Sequence, residues 1–247
     1  MGNYAHDTVV PDLESNLPKK EQVASMFNQI APRYDFLNRF LSAGIDIGWR
    51  KKALRLLKKD NPSILLDVAT GTGDLAILAA SVLSPQQISG VDISEGMLNI
   101  GKKKIKALQL EQIIQLQYGD SEQLNFQDGT FDASTVAFGV RNFQHLEKGL
   151  SEILRVLKPG GKLMVLEFSK PSAPVIKEAY NLYMKFITPS VGSIFSKSKN
   201  AYQYLNDSVQ QFPEGMDFIA VMERVGFKHT FYKRLSFGIC TAYIGEK

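Results

Sequence analysis

The residues best able to do chemistry lie in one run, Asp67-Val-Ala-Thr-Gly71-Thr72-Gly73-Asp74, which closes a short apolar stretch, Ser63–Ala69. Glycines there let the backbone turn sharply and admit a ligand with no Cβ in the way. Two more acidic positions end later apolar runs: Asp92 closes Ile88–Ile93, and Asp120-Ser121 follows Ile114–Tyr118. A carboxylate at Asp92 can grip a ribose diol, and one at Asp120 can accept a hydrogen bond from an adenine exocyclic amine. The set describes a nucleoside ligand. Gly71, Gly73 and Ala76 also satisfy the dinucleotide pattern G-x-G-x-x-G/A, so the glycines alone do not choose a cofactor. The carboxylates tip the choice. A pyrophosphate gains nothing from Asp67 and Asp74, whereas the charged amino-acid part of a sulfonium ligand is matched by Asp67.

These residues must be held at the ends of strands. Five short apolar runs alternate with helical stretches: Ser63–Ala69, Ile88–Ile93, Ile114–Tyr118, Phe131–Phe138 and Lys162–Phe168, with helices over Asp74 to Val82, Glu95 to Leu108 and Leu146 to Leu157. Alternation of this kind requires a parallel sheet covered on both faces. Ligands of such sheets lie beyond the carboxyl ends of the strands. The turn Leu157-Lys158-Pro159-Gly160-Gly161 leads into the fifth strand. Ahead of the sheet, Val23, Met26, Phe27 and Ile30 recur at helical spacing from Glu21, and the helix is expected to stop before Pro32. A second helix is expected from about Trp49 to Lys59. Residues 171–211 interrupt the alternation with an aromatic-rich helical insertion that includes Tyr180, Tyr183, Phe186, Phe195, Tyr202 and Tyr204. A helix from Gly215 to Val225 and two antiparallel strands, Phe227–Leu235 and Ile239–Gly245, close the chain.

The 247 residues suit a single domain, 21–247, after a polar N-terminus, 1–20, that is expected to be flexible. No apolar run approaches the length of a membrane span, and the first residues lack a signal core. One cysteine, Cys240, excludes an internal disulfide, and three scattered histidines show no metal-ligand spacing. A cytoplasmic protein without a metal is expected. The net charge is +4, with basic residues crowded at Arg50, Lys51, Lys52, Arg55, Lys58 and Lys59 and again at Lys102, Lys103, Lys104 and Lys106. Such runs are usually solvated helix faces. Loose attachment at the inner face of an anionic membrane is the sharper reading, and nucleic acid a third.

Longer stretches carry a family resemblance. Tyr34-Asp35-Phe-Leu-Asn38-Arg39-Phe-Leu-Ser42, continuing to Trp49, resembles the first signature of the ubiquinone/menaquinone biosynthesis C-methyltransferases. Arg155 through Ser169 resembles their second signature without a gap, and Phe138-Gly139-Val140-Arg141-Asn142 is similar to their Phe-Gly-hydrophobic-Arg-Asn stretch. The resemblance runs from about Glu21 to the C-terminus. It implies a class I methyltransferase Rossmann-like α/β fold: a seven-stranded, mostly parallel sheet with helices on both faces, its last strand antiparallel, under an N-terminal helical lid (21–60) and a substrate cover (171–211).

It also implies S-adenosyl-L-methionine as cofactor, S-adenosyl-L-homocysteine as product, and C-methylation of a lipophilic prenylated quinol, demethylmenaquinol to menaquinol, in menaquinone biosynthesis. Cofactor contacts are expected at Asp67, Gly71, Thr72, Gly73, Asp92, Asp120 and Ser121. Arg141, just past the fourth strand, is the expected cation for the phenolate oxygen, against the alternative of a salt bridge to a nearby carboxylate. Tyr34 and Asp35 would orient the acceptor hydroxyl or take its proton, against simple capping and packing. Two positions depart from the pattern. Asp46 stands where the family usually has His, so no role of that His, catalytic base included, is carried over, and Ala137 stands where some relatives place a Ser near the cofactor and is not counted as a contact. A benzoquinol C-methyltransferase, a small-molecule O-methyltransferase, an RNA methyltransferase, a non-catalytic binding protein and a nicotinamide-dependent oxidoreductase are the rivals.

Overall fold

Four of the five residues of strand β1 (Ile64–Val68) are buried, because helices close over both faces of the sheet it belongs to. The computed structural model describes residues 4–42, 44–171, 178 and 199–247. In chain order the elements are α1 (Lys19–Leu41), α2 (Ile45–Leu54), β1, α3 (Asp74–Leu83), β2 (Gln87–Asp92), α4 (Glu95–Ala107), β3 (Ile114–Tyr118) and β4 (Phe131–Ala137). There follow α5 (Leu146–Val156), β5 (Leu157–Phe168), α6 (Lys199–Gln211), α7 (Met216–Val225), β6 (Lys228–Leu235) and β7 (Cys240–Glu246). The seven strands form one sheet in the order β3-β2-β1-β4-β5-β7-β6. The first five pair in parallel, and β7 runs antiparallel between β5 and β6. This is the expected architecture. Strand order reverses between β1 and β4, which opens a crevice at their carboxyl ends.

Each face of the sheet has its own apolar cluster. One joins Ala53, Leu54, Leu75, Leu98 and Ile105 from α2, α3 and α4 to Leu65 and Ile88; the other joins Leu150, Ile153, Phe218 and Met222 from α5 and α7 to Leu66 and Val165. Successive strand residues feed opposite clusters, as a pleat requires.

Four boundaries depart from expectation. Helix α1 does not stop at Pro32 but runs through it for 23 residues. An interior proline deletes one hydrogen bond and crowds the preceding turn, at about 3 kcal/mol. Buried Val23, Ala31 and Leu37 share one α1 face across the proline, and Lys20, Asn28 and Asp35 tie the helix down on both sides of it. Tertiary contact outweighs the local penalty. Helix α2 starts earlier and ends earlier than expected. Gly44 precedes it at φ +76°, and buried Asp46 anchors its first turn by accepting from Ser42 Oγ and Arg50. Strand β5 begins at Leu157, so the Lys158–Gly161 turn is a bulge within it, with Gly160 at φ +76°. Lastly, Ala5–Thr8, inside the stretch expected to be flexible, is a 3-10 turn whose His6 is fully buried.

Within the expected insertion, Lys199–Gln211 is helical and Tyr204 is buried. Tyr180, Tyr183, Phe186 and Phe195 lie outside the described residues.

Candidate active site

Two adjoining open cavities, one larger than the other, sit at the carboxyl ends of β1 to β4. The larger is lined by Asp92, Ile93, Met97, Asp120 and Ser121 from the sheet side and by Lys20, Val23 and Phe27 of α1. The smaller is lined by Arg50, Asp67, Thr70, Thr72 and Asp74. Tyr34, Ala69, Gly71 and Ala137 line both, and so mark the junction. Ala137, which had not been counted as a contact position, therefore faces the site.

The glycine loop turns as its residue types predict. Gly71 and Gly73 have φ of +57° and +77°, a region closed to most side chains, and a Cβ on Gly71 would meet nothing within 4 Å. Helix α4 approaches this loop so closely that a Cβ on Gly101 would lie 3.0 Å from the Thr72 carbonyl carbon. Asp92 is held at the end of β2 by two backbone amides: Gly71 N donates to Oδ2 and Ser94 N to Oδ1, each at 2.8 Å. Burial raises its pKa, and these amides oppose the rise. Its lone pairs are not exhausted by two bonds.

Asp67 is buried and accepts from Thr70 Oγ1 and Thr135 Oγ1, both at 2.6 Å. Burial pushes its carboxyl up to about 6, even though both hydroxyls and the Arg50 charge pull it down. A cationic ligand group beside Asp67 would relieve that cost. Asp120 accepts from Lys20 Nζ at 2.9 Å and from the Glu122 amide at 2.9 Å. Partial burial raises its pKa, but these two partners prevail and leave it lowered. The cradle suits a ligand with a diol, an exocyclic amine and an ammonium group.

The three candidate catalytic residues part company. Tyr34 stands at the junction, packed edge-on against Phe27 with ring centroids 5.9 Å apart. Burial raises its phenol pKa, while a hydrogen bond with Asn38 and the charge of Arg141 draw it down. Asp35 is outside both cavity linings. It accepts from Thr72 Oγ1 at 2.6 Å and from Lys104 Nζ at 2.9 Å, tying α1 to the glycine loop and to α4. Arg141 is also outside the linings and is buried, next in the chain to the lining residues Phe138, Gly139 and Asn142 and with its guanidinium over the Phe168 ring at 5.6 Å. Its Nη1 donates to Glu167 Oε1 at 2.6 Å and to the Phe138 carbonyl at 2.7 Å, and Nε donates to Ser208 Oγ at 3.3 Å. This is the salt bridge weighed above as the alternative to phenolate contact.

Several site residues gave no such signal in the sequence. Arg50, counted there with a solvated basic face, is 6% exposed and lies over the Phe138 ring at 5.5 Å. Only the Asp46–Arg50 spacing of four residues hinted at their ion pair. Asp46 also accepts from Arg39 Nη1 at 2.8 Å, so the carboxylate at the position of the family's His binds two guanidiniums. Asn28 of α1 accepts from Ser94 Oγ and Gly96 N, both at 2.8 Å, and nothing in the sequence singled it out. One helix thus reaches the loops after β1, β2 and β3 through Asp35, Asn28 and Lys20. Among the described residues no group of His, Cys, Asp and Glu could hold a metal.

A model of the ubiE/COQ5 methyltransferase family matches residues 16–247. Demethylmenaquinone methyltransferase of Bacteroides fragilis is 47% identical over 245 residues, 99% of this chain and 100% of that protein. Ubiquinone/menaquinone biosynthesis C-methyltransferase UbiE of Geobacter sulfurreducens is 45% identical over 93% of this chain and 90% of its own. Among solved structures, an S-adenosylmethionine-dependent methyltransferase of Thermotoga maritima, described as a possible histamine N-methyltransferase, superposes with a TM-score of 0.64 at 20% identity. It covers 90% of this chain and 99% of its own. Human N-acetylserotonin methyltransferase gives 0.63 at 18% identity, over 94% and 60%. At these identities the structures speak for the fold.

Proposed function

This chain belongs to the ubiE/COQ5 methyltransferase family and is an S-adenosylmethionine-dependent C-methyltransferase of quinone biosynthesis, and we propose that its acceptor is demethylmenaquinol. The head group is supported by the near-complete length over which the chain follows the demethylmenaquinone methyltransferase of Bacteroides fragilis. S-adenosylmethionine supplies a methyl group already activated as a sulfonium, which leaves the protein alignment and charge placement to provide.

The site's acceptors divide that work. Asp92 takes the ribose hydroxyls, Asp120 with Ser121 faces the adenine end, and Asp67 meets the ammonium. Gly71, Thr72 and Gly73 let the chain turn tightly around the donor. The single observation that carries the reaction is Tyr34 at the junction of the cavities, between the polar cradle and apolar Val23, Phe27 and Phe143. There its hydroxyl orients the acceptor's phenolic oxygen. With that oxygen's proton lost to solvent, the neighbouring ring carbon would supply the electron pair for the new carbon–carbon bond to the methyl group, and the methyl–sulfur pair would return to sulfur, leaving S-adenosylhomocysteine. Loss of the ring proton then restores the aromatic ring. Arg141 acts on Tyr34 through its charge, and Asp35 positions the lid and the glycine loop.

Only the quinol has the ionisable hydroxyl that enriches the ring carbon. Methyl transfer followed by mass spectrometry on a short-tailed demethylnaphthoquinol is expected to require a reductant and to speed up as pH rises. Equal turnover of the oxidised quinone would overturn the mechanism. Faster turnover of a benzoquinol than of the naphthoquinol would overturn the head group.

A peripheral contact with the inner face of a membrane fits the lipophilic acceptor. Support comes from the elbow between α1 and α2: Phe36 and Phe40 stack at 6.1 Å while 63% and 53% exposed, and Ile45 and Ile47 are exposed just beyond. Trp49 Nε1 donates to Ser236 Oγ, which brings Phe237, 78% exposed, to the same helix. From Ile45 to Lys59 every exposed charge is basic. Apolar rings rimmed by lysines suit an anionic lipid surface. No helix among the described residues is long and apolar enough to cross a bilayer. Sedimentation with phosphatidylglycerol vesicles should capture the protein at low salt. The pair Phe36→Ser with Phe40→Ser should lose at least about tenfold in binding, and an undiminished variant would remove the elbow from the contact.

A further inference from the structure

A buried tyrosine outside both cavities holds a polar side chain that lines the larger one. Asn142 lines that cavity from the turn that follows β4. The turn is strained: Phe138 has φ +58°, a left-handed conformation that an aromatic residue rarely adopts. The Phe138 carbonyl accepts from Arg141 Nη1 at 2.7 Å and from Asn142 Nδ2 at 3.4 Å. Helix α6 holds the same two residues. The Tyr204 hydroxyl donates to Asn142 Oδ1 at 3.1 Å, and one helical turn later Ser208 Oγ accepts from Arg141 Nε at 3.3 Å. Tyr204 and Ser208 are both buried.

A side-chain amide can turn either its oxygen or its nitrogen to a ligand. Tyr204 removes that choice. Its hydroxyl engages Oδ1, and rotating the amide would set an N–H donor against that hydroxyl and cost a buried hydrogen bond. Among the described residues Nδ2 has one bond, the long one to Phe138, which leaves it a second hydrogen to offer. The reaction sets a value on that end. A ring oxygen gathering negative charge is stabilised by a donor, whereas an amide oxygen aimed at it would repel it. We propose that Tyr204 is a positioning residue for methyl transfer: it orients the Asn142 amide so that Nδ2 donates to the acceptor's phenolic oxygen. The role rests on the quinol acceptor assigned above. Asn142 then joins Tyr34, which lines the same cavity, in fixing that oxygen.

The test is methyl transfer to the reduced short-tailed demethylnaphthoquinol at saturating donor. Tyr204→Phe removes the hydroxyl and keeps the buried ring. Its rate should fall about tenfold, the scale of one hydrogen bond to a charged group. Affinity for S-adenosylhomocysteine, measured by calorimetry, should stay within about twofold. In an Asn142→Ala background the same substitution should cost nothing further, because its effect passes through the amide. Losing a donor also makes the phenolate harder to form, so in Tyr204→Phe the rise of turnover with pH should move about one unit to the alkaline side. That profile carries the test if Asn142→Ala does not fold. An equal loss in both backgrounds, or a slower enzyme with an unmoved pH profile, would make Tyr204 a packing residue and overturn the proposal. An unchanged rate, or a defect confined to donor affinity, would also overturn it while leaving the acceptor standing. A wild type that methylates no naphthoquinol would overturn the acceptor assignment and this role with it.

Discussion

Asp67 shows how a buried carboxylate can be tuned by a ligand's charge. Its carboxyl stands near 6 because burial penalises the anion more than two hydroxyls and the Arg50 charge favour it. Folding raises this pKa, so Asp67's contribution to the stability of the free protein is fully present below its unfolded value near 4 and is lost as pH climbs through about 6. Donor binding runs the other way, since only the anion attracts the ammonium. Affinity for S-adenosylhomocysteine, measured by calorimetry, should therefore fall as pH drops from 7 to 5. In Asp67→Asn it should be weak and flat over that range. A wild-type affinity that does not change with pH would detach Asp67 from the ammonium.

At the scale of elements, α1 is the piece that makes a site out of strand ends. Lys20, Asn28 and Asp35 reach the loops after β3, β2 and β1 in turn. Asn28 has the most direct hold on the donor site, because it bonds the loop that presents Asp92 and the first turn of α4. Asn28→Ala leaves Ser94 Oγ and Gly96 N without this acceptor, a loss of about 1–2 kcal/mol by analogy with helix caps. Donor affinity is expected to drop about fivefold or more, and turnover at saturating donor to drop further, as the lid loosens. Unchanged affinity together with unchanged turnover would reduce α1 to a packed helix.

The whole molecule is strapped from its N-terminus. Tyr4 Oη donates to Glu147 of α5 at 2.6 Å and accepts from Arg224 of α7, and His6 packs edge-on against Phe212 with ring centroids 5.6 Å apart. Lys19 Nζ donates to the His6 carbonyl at 2.6 Å, joining the strap to α1. Burial, with the Lys19 charge adding to it, pushes the His6 imidazole down to about 3. A folded pKa below the unfolded value of about 6.5 gives a contribution present above pH 6.5 and lost as pH falls toward 3. By pH 5 that is about 2 kcal/mol, enough to lower the melting temperature by several degrees. His6→Phe, which keeps the aromatic packing, should show a smaller drop between pH 7.5 and pH 5. An equal drop would mean that other groups carry the acid sensitivity.

What could be read from the sequence was whatever is local or periodic. Glycines at Gly71 and Gly73 announce a loop that needs positive φ. Apolar runs ending in Asp92 and Asp120 announce strands with carboxylates at their tips, and alternation with helices announces a parallel sheet. Together with two long family signatures, that was enough for the architecture, the donor and the class of acceptor. Tertiary structure decided what depends on a partner distant in the chain. Whether α1 stops at Pro32 was set by tethers 37 to 100 residues away, which a local rule about proline cannot weigh. Whether Arg50 lies in water or under the site turned on Asp74 and Phe138, which the fold brought to 3.6 and 5.5 Å of it, and whether Arg141 faces a ligand or Glu167 turned on the 2.6 Å contact with Glu167. A charged side chain looks the same in a sequence whether its counterion is solvent, a neighbour or a substrate, and only the packed chain fixes its distance to each.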